Sequence, residues 1–173
     1  MIGAPGCGKT MLASRLITIM PEISKEEALE TTSVFSVAGE LRDKEIIIDG
    51  RPFRSLTSNI TKSALLGGGR YPKPGEVSLA NNGILFLDEL PEFSKELLDA
   101  LRVPLSNDYV HIRRNEGIYA YPTKFLLVCA MNPCKCGNFG SNHGECTCSE
   151  HDVKRYLDRL SGPFLDRLDM FVE

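Results

Sequence analysis

Residues Gly3-Ala4-Pro5-Gly6-Cys7-Gly8-Lys9-Thr10 place a glycine, four further positions, and then Gly-Lys-Thr in an unbroken run. Glycines at these positions let successive backbone amides fold around an anion, and a helix beginning after them adds the positive end of its dipole. Lys9 supplies a point charge for terminal phosphates, and the Thr10 hydroxyl is a ligand for a divalent cation. The chemistry this pattern supports is the binding of ATP with Mg2+. The alternative is a glycine-rich turn ahead of a helix. A second motif, Ile84-Leu85-Phe86-Leu87-Asp88-Glu89, ends an apolar run in two carboxylates. Asp88 is suited to hold the magnesium shell from the Thr10 side, and Glu89 to polarise an attacking water. Alone it reads equally as a strand ending in solvated charge; downstream of a complete phosphate loop, the catalytic reading is preferred.

Four cysteines form a separate constellation. Cys134-x-Cys136 is followed, after nine intervening residues, by Cys146-x-Cys148. Thiolates are soft ligands, and four in one loop can close a tetrahedral Zn2+ site. Gly137, Gly140 and Gly144 give this loop, residues 133–149, freedom to wrap, and His143 inside it is a substitute ligand. The other reading is a set of reduced thiols or reversible redox pairs. Cys7 and Cys129 read as a loop residue and a small apolar strand residue.

The elements that must position these groups follow from periodicity. Lys9 to Met20 reads as a helix with Leu12, Leu16 and Ile19 at helical spacing, stopped before Pro21. Ser24 with Glu27 three residues on is a capping box that opens a short helix. The stretch from Val34 to Pro74 is ambiguous; within it Ile46-Ile47-Ile48 predicts a strand and Asp49-Gly50 a turn. Ile84–Leu87 and Lys124–Ala130 predict buried strands, since their apolar runs are continuous. Ser94 to Leu105 predicts a helix with Leu97, Leu98, Leu101 and Leu105 on one side. Val110–Arg114 and Ile118–Tyr121 predict a hairpin around Asn115-Glu116-Gly117. Asp152 to Leu160 predicts a further helix. Strands alternating with helices imply an α/β fold with a parallel sheet. The hairpin carries His111, Arg113 and Arg114, which suit phosphate contacts as well as a solvated edge strand.

The 173 residues suffice for one domain with a sizeable core, and 42% hydrophobic with 25% charged content is that of an ordinary globular protein. A net charge of −3 excludes a global basic field, so any contact with nucleic acid must be local. The apolar run Phe125–Met131 is far short of the ~20 residues of a membrane helix. No signal peptide precedes the phosphate loop, and six cysteines in such a chain read as thiols or metal ligands, so a cytoplasmic location is expected. Only Met1-Ile2 stand before Gly3, and Met170–Glu173 reads as a strand just begun, so the chain is expected to be a piece of a longer protein, incomplete at both ends.

A phosphate loop with an Asp-Glu strand end resembles the AAA+ ATPases, which implies a three-layer P-loop NTPase core. Gly67-Gly68-Gly69, Pro74-Gly75-Glu76-Val77-Ser78-Leu79-Ala80-Asn81-Asn82-Gly83 and Leu85-Phe86-Leu87-Asp88-Glu89-Leu90-Pro91-Glu92-Phe93 resemble the magnesium-chelatase-related branch. Met131-Asn132-Pro133-Cys134-Lys135-Cys136-Gly137 and Ser161-Gly162-Pro163-Phe164-Leu165-Asp166-Arg167-Leu168-Asp169 are similar to the ComM/YifB family, competence-related proteins tied to DNA branch migration. The resemblance spans the whole chain. It implies a homo-oligomeric ring, a hexamer, acting as an ATP-driven motor on DNA, with the helical lid outside this sequence. It also implies that Asn132 is the sensor-1 residue that orients water and reads the γ-phosphate. Arg167 would be the arginine finger acting on ATP held by a neighbouring subunit, with Arg159 a weaker competitor. The bland readings are a strand-ending turn residue for Asn132 and an arginine paired with Asp166 or Asp169 for Arg167.

The sequence departs from the family pattern at two places. Pro52-Phe53-Arg54-Ser55 is followed by Leu56-Thr57-Ser58 rather than a Pro-His-His run, and Asn81 stands where a histidine is usual. Three rivals remain: a magnesium-chelatase motor subunit, a σ54-dependent type of transcription activator, and a nucleotide-gated assembly module. The cysteine-rich stretch argues against the first, and the missing Gly-Ala-Phe-Thr-Gly-Ala loop against the second.

Overall fold

A computed structural model describes residues 1–41, 47–140 and 144–173. Helix α1 (Lys9–Leu16) begins directly at the end of the phosphate loop and runs into a 3-10 turn, Ile17–Ile19, before Pro21. Helix α2 (Lys25–Ala38) opens on the expected capping box: the Ser24 hydroxyl accepts from the Glu27 amide, and the Glu27 carboxylate accepts from the Ser24 amide. At 14 residues it is longer than expected, continuing until Gly39 adopts φ 79.

Strand β1 (Phe53–Leu56), helix α3 (Lys62–Leu66), the two-residue strands β2 (Gly67–Gly68) and β3 (Lys73–Pro74) and helix α4 (Glu76–Leu79) follow. Strand β4 (Ile84–Leu87) leads to helix α5 (Lys95–Leu101), the hairpin strands β5 (Tyr109–Arg114) and β6 (Gly117–Pro122), and strand β7 (Leu126–Cys129). Helices α6 (Glu150–Leu157) and α7 (Gly162–Leu165) complete the described elements.

The central sheet is parallel in the order β1-β4-β7. Ile2 forms a parallel bridge to Met131, so the segment leading into the phosphate loop lies on the far side of β7. The Ile2 amide in turn donates to the Val172 carbonyl at 2.8 Å, which brings the expected final strand alongside, although no strand is formed there.

Because side chains alternate across a strand, the continuous apolar runs feed two cores. Ile84, Phe86, Val128 and Ala130 face α1 and bury Ala13, with the Phe53 and Phe86 rings 5.9 Å apart. Leu85, Leu87, Leu56 and Cys129 face α3, α4, α5 and α7, meeting Leu65, Val77, Leu98, Leu101 and Phe164. The result is a sheet between two helical layers. Phe86 has no exposed surface, and truncating a ring so placed costs roughly 3–5 kcal/mol.

Two expectations need correction. Leu12 and Ile19 do not enter the core: they are 56% and 78% exposed, and the small Ala13 is the residue α1 presses onto the sheet. Ile47 and Ile48 form no strand, since the Ile48 amide donates to the Thr32 hydroxyl of α2 at 2.9 Å instead; Ile46 lies outside the described residues. The strand beside β4 is β1, seven residues downstream of Ile46 at its start, in a stretch whose sequence carries only two large apolar residues.

Candidate functional site

The C-terminal ends of the parallel strands bring the motif residues together. In parallel α/β sheets this edge is where ligands bind, because loops and helix N-termini converge there. The phosphate loop enters from Met1 and Ile2, which are hydrogen-bonded to the segment after β7: the Met131 amide donates to the Met1 carbonyl at 3.0 Å and the Gly3 amide to the Met131 carbonyl at 3.2 Å. Gly6 and Gly8 adopt φ 79 and 85, a left-handed backbone that side chains resist. Gly8 is also the N-cap of α1 and offers no side chain to it, so the first amides of that helix remain available to an anion.

The Lys9 ammonium is held by three oxygens. It donates to the carbonyls of Gly3 and Ala4 at 2.8 and 2.9 Å and to Asn132 Oδ1 at 3.0 Å. Thr10 Oγ1 donates to Asp88 Oδ2 at 2.6 Å. The first and second motifs are thus joined by one hydrogen bond, and the first motif and Asn132 by another.

Glu89 follows with φ 52 and ψ 47, a left-handed conformation that costs a non-glycine residue energy. Its amide donates to Asp88 Oδ1 at 2.9 Å, and Glu89 itself is exposed just past the strand end. An oxygen pair at Thr10 and Asp88 suits a hard cation such as Mg2+. A free carboxylate one residue further on can accept a proton from water.

Arg167 lies exposed just after α7 and, among the described residues, takes part in no ion pair, so its pairing with Asp166 or Asp169 is not found. Arg159, its competitor, is engaged elsewhere: it donates to Glu92 Oε1 at 3.0 Å and to the Pro91 carbonyl at 3.2 Å. The structure does not bring Arg167 to the phosphate loop of its own chain by any hydrogen bond among the described residues.

The cysteine loop lies beside this edge. The sulfurs of Cys134, Cys136, Cys146 and Cys148 all lie within 4.8 Å of one another. Three of their separations are 3.3, 3.7 and 3.6 Å. Zinc–sulfur bonds of ~2.3 Å in a tetrahedron separate sulfurs by about 3.8 Å, so this donor set fits Zn2+. The amides of Asn138 and Thr147 hold the Cys136 thiol down at about 5, whereas Cys146, against the lowering pull of the Cys148 backbone, is pushed up to about 12 by desolvation and neighbouring sulfurs. His143 lies outside the described residues. Cys129 is buried under the sheet, and burial pushes its thiol up to about 12, in line with an apolar structural role.

Two features were not anticipated from sequence. Arg54, on β1, forms a bidentate pair with Glu76 at 2.6 and 2.8 Å and a third contact with Glu40 at 3.0 Å. It ties β1 to α4 and to the end of α2. Asn81 is fully buried: its Nδ2 donates to Glu30 at 2.8 Å and its Oδ1 accepts from the Lys124 amide at 2.8 Å. Neither local stretch, Phe53-Arg54-Ser55-Leu56 or Leu79-Ala80-Asn81-Asn82, names a partner for its polar residue.

With the geometry in view, the comparisons with known proteins are informative. The family model described as magnesium chelatase, subunit ChlI, matches residues 1–173. The protein YifB of Salmonella typhimurium is 50% identical over 174 residues, covering 100% of this chain and 34% of YifB. The competence protein ComM of Haemophilus influenzae is 50% identical over 173 residues, covering 99% of this chain and 33% of ComM. The chain therefore spans about a third of the length of these relatives. Among solved structures, a complex between subunits BchI and BchD of magnesium chelatase matches with TM-score 0.60 at 19% identity, over 96% of this chain and 60% of that one. At that identity the match speaks for the fold alone, an α/β core with a parallel sheet. Among the described residues no helix is long and apolar enough to cross a membrane.

Proposed function

We propose that this chain, which belongs to the magnesium chelatase subunit ChlI family, binds ATP with Mg2+ and hydrolyses it as the core of a ring-forming motor acting on DNA. The observation that carries the nucleotide reading is the meeting of Lys9, Asn132, Thr10 and Asp88 through hydrogen bonds of 3.0 and 2.6 Å at one edge of a parallel sheet. Residues 1–173 act as one ATPase core domain, with the Cys-rich loop 133–149 as its appendage.

The roles follow from the chemistry of each group. Gly3, Ala4, Pro5, Gly6, Cys7 and Gly8 form the loop that wraps the phosphates, with backbone amides as the donors except at Pro5, which has none, and Gly3, whose amide is held by the Met131 carbonyl; Lys9 binds the phosphates as a point charge. Thr10 and Asp88 hold Mg2+, which supplies neutralisation of the phosphate charge. Glu89 orients the attacking water and takes up its proton. Asn132 orients that water too; its Oδ1 accepts from the Lys9 ammonium at 3.0 Å. Arg167 stabilises transition-state charge on a neighbouring subunit's ATP, and its lack of an ion pair among the described residues supports that role over a structural one. Cys134, Cys136, Cys146 and Cys148 hold one Zn2+. The location that goes with this reading is the cytoplasm, where cysteines serve as thiols or metal ligands.

The DNA reading is supported by the 50% identity to ComM, a competence protein, and by the hairpin, where the exposed Arg113 and Arg114, with His111 on the same strand, offer local positive charge on a chain of net charge −3. A second reading, a motor for a porphyrin-metalating partner, is favoured by the likeness to the BchI–BchD complex. One measurement separates them: ATP turnover of the full-length protein with and without branched DNA. Stimulation by branched DNA is the expected result. Turnover indifferent to DNA but raised by a chelatase partner subunit would move the assignment to the second reading, and no turnover under any condition would remove the ATPase.

A further inference from the structure

We infer that the four-cysteine zinc site is a buttress of the phosphate loop, so that zinc occupancy sets nucleotide affinity. The inference rests on the nucleotide reading above. It comes from two contacts that run from the metal loop to the P-loop by different routes.

The first route is through packing. Gly137 lies between Cys136 and the far pair of cysteines, is buried, and has φ 86. A Cβ placed on it would overlap the Pro5 ring, 2.5 Å from the ring Cγ and closer still to Cδ. The tip of the metal loop therefore rests on the phosphate loop with no room for even a methyl group. The Gly137 amide donates to the Cys134 carbonyl at 3.0 Å, and the Phe139 amide to Cys134 Sγ at 3.4 Å, so the turn that presents Gly137 to Pro5 is the turn that gathers the sulfurs.

The second route is along the chain. Asn132, which shares the Lys9 ammonium at 3.0 Å, stands two residues before Cys134, a fully buried ligand position. At its other end the loop is anchored where Cys148 meets Ser149, the N-cap of α6, whose hydroxyl accepts from the Asp152 amide at 3.2 Å. A metal that closes the loop therefore fixes both the surface under Pro5 and the residue beside Lys9. Without it, the described residues of the 133–149 loop offer few large apolar side chains to hold them, since Phe139 is half exposed and most of the others are polar or glycine. Closing such a loop by metal ligation is a folding event in its own right. A P-loop held in its binding geometry loses less freedom on taking up nucleotide.

The test uses the full-length protein, purified under reducing conditions. Elemental analysis is expected to give about one zinc per chain, and to give none for Cys136→Ser. Binding of a fluorescent ATP analogue with Mg2+ is then compared for the loaded protein, for protein stripped of zinc with a removable mercurial, and for the same sample after zinc is returned. Removal should weaken binding by roughly tenfold, within the 5–150-fold range of ordinary site-to-site coupling, and zinc but not extra magnesium should restore it. Gly137→Ala probes the contact itself: zinc retained near one per chain with weakened nucleotide binding supports the buttress.

Zinc-free protein that binds nucleotide as tightly as the loaded form overturns the coupling while leaving the metal site standing. Absence of zinc from purified protein overturns the site. Failure of the nucleotide reading would look different, as zinc-loaded protein that binds no nucleotide, and it would take the coupling with it. Because the wild-type protein is stripped and reloaded, the outcome does not depend on either variant folding.

Discussion

The Lys9 ammonium and the Asn132 amide oxygen, 123 positions apart in the chain, meet at 3.0 Å. The bond joins the lysine that we propose binds phosphate to the polar residue that follows the strand after Asp88-Glu89, the pairing on which the proposed role of Asn132 rests.

The two residues should separate kinetically when changed. Lys9→Ala removes the ground-state charge on phosphate and is expected to abolish measurable nucleotide binding. Asn132→Ala should leave affinity within a few-fold and lower turnover by roughly 10²–10³, the cost of removing one positioned polar group from a transition state. Equilibrium binding and steady-state hydrolysis on the same preparations check both. An Asn132→Ala protein that loses binding as completely as Lys9→Ala would make Asn132 a structural partner of the lysine instead.

Glu89 stands at the end of a buried strand in a left-handed conformation, φ 52, with its carboxylate exposed. Glu89→Gln keeps the shape and the hydrogen-bonding capacity but cannot accept the proton of the attacking water. Nucleotide should remain bound while turnover falls by about 10²–10⁴. Normal turnover by this variant would sink the assignment of the base.

Arg167 has no ion pair among the described residues, and a finger supplied to a neighbour acts only in an assembly. In the full-length protein Arg167→Ala should cut turnover by roughly 10³ or more with binding nearly intact. Mixing it with the equally inactive Lys9→Ala protein creates rings in which an intact ATP site sits beside an intact Arg167, so part of the activity should return. If the subunits demonstrably mix and none returns, the trans role is wrong.

Asn81 connects α2 to the start of β7 by accepting from the Lys124 amide and donating to Glu30, both at 2.8 Å, with its side chain fully buried. Asn81→Ala leaves that amide without its acceptor and the Glu30 carboxylate with a partner fewer. A loss of about 1–3 kcal/mol is expected, read as a lower denaturation midpoint. Nucleotide affinity measured well below the transition should change little. An unchanged midpoint would show that water or a shifted neighbour replaces the amide, and that the departure from histidine at this position carries no structural weight.

The parts of the fold that were legible in advance are those written in contiguous residues. The phosphate loop is one, because wrapping an anion needs glycines and a lysine in fixed order. Ile84–Leu87 is another, because a strand covered on both faces must be apolar throughout. The Ser24–Glu27 capping box also belongs here, since its two hydrogen bonds close within one helical turn. The spacing of Cys134, Cys136, Cys146 and Cys148 announced a cluster, and the sulfurs do converge.

Relationships between distant segments were decided only in three dimensions. That Leu12 and Ile19 stay exposed while Ala13 is buried depends on how closely α1 lies on the sheet, which periodicity does not encode. The place of β1 beside β4 is set by hydrogen bonding and by Arg54 reaching Glu76 and Glu40, not by any strong strand signal of its own. The pressing of Gly137 on Pro5 likewise has no trace in either local sequence. Backbone conformation and ligand type are local demands that a few neighbouring residues must meet, so the chain's order records them. Packing partners are chosen by shape and burial across the whole molecule, and only the folded structure shows which were taken.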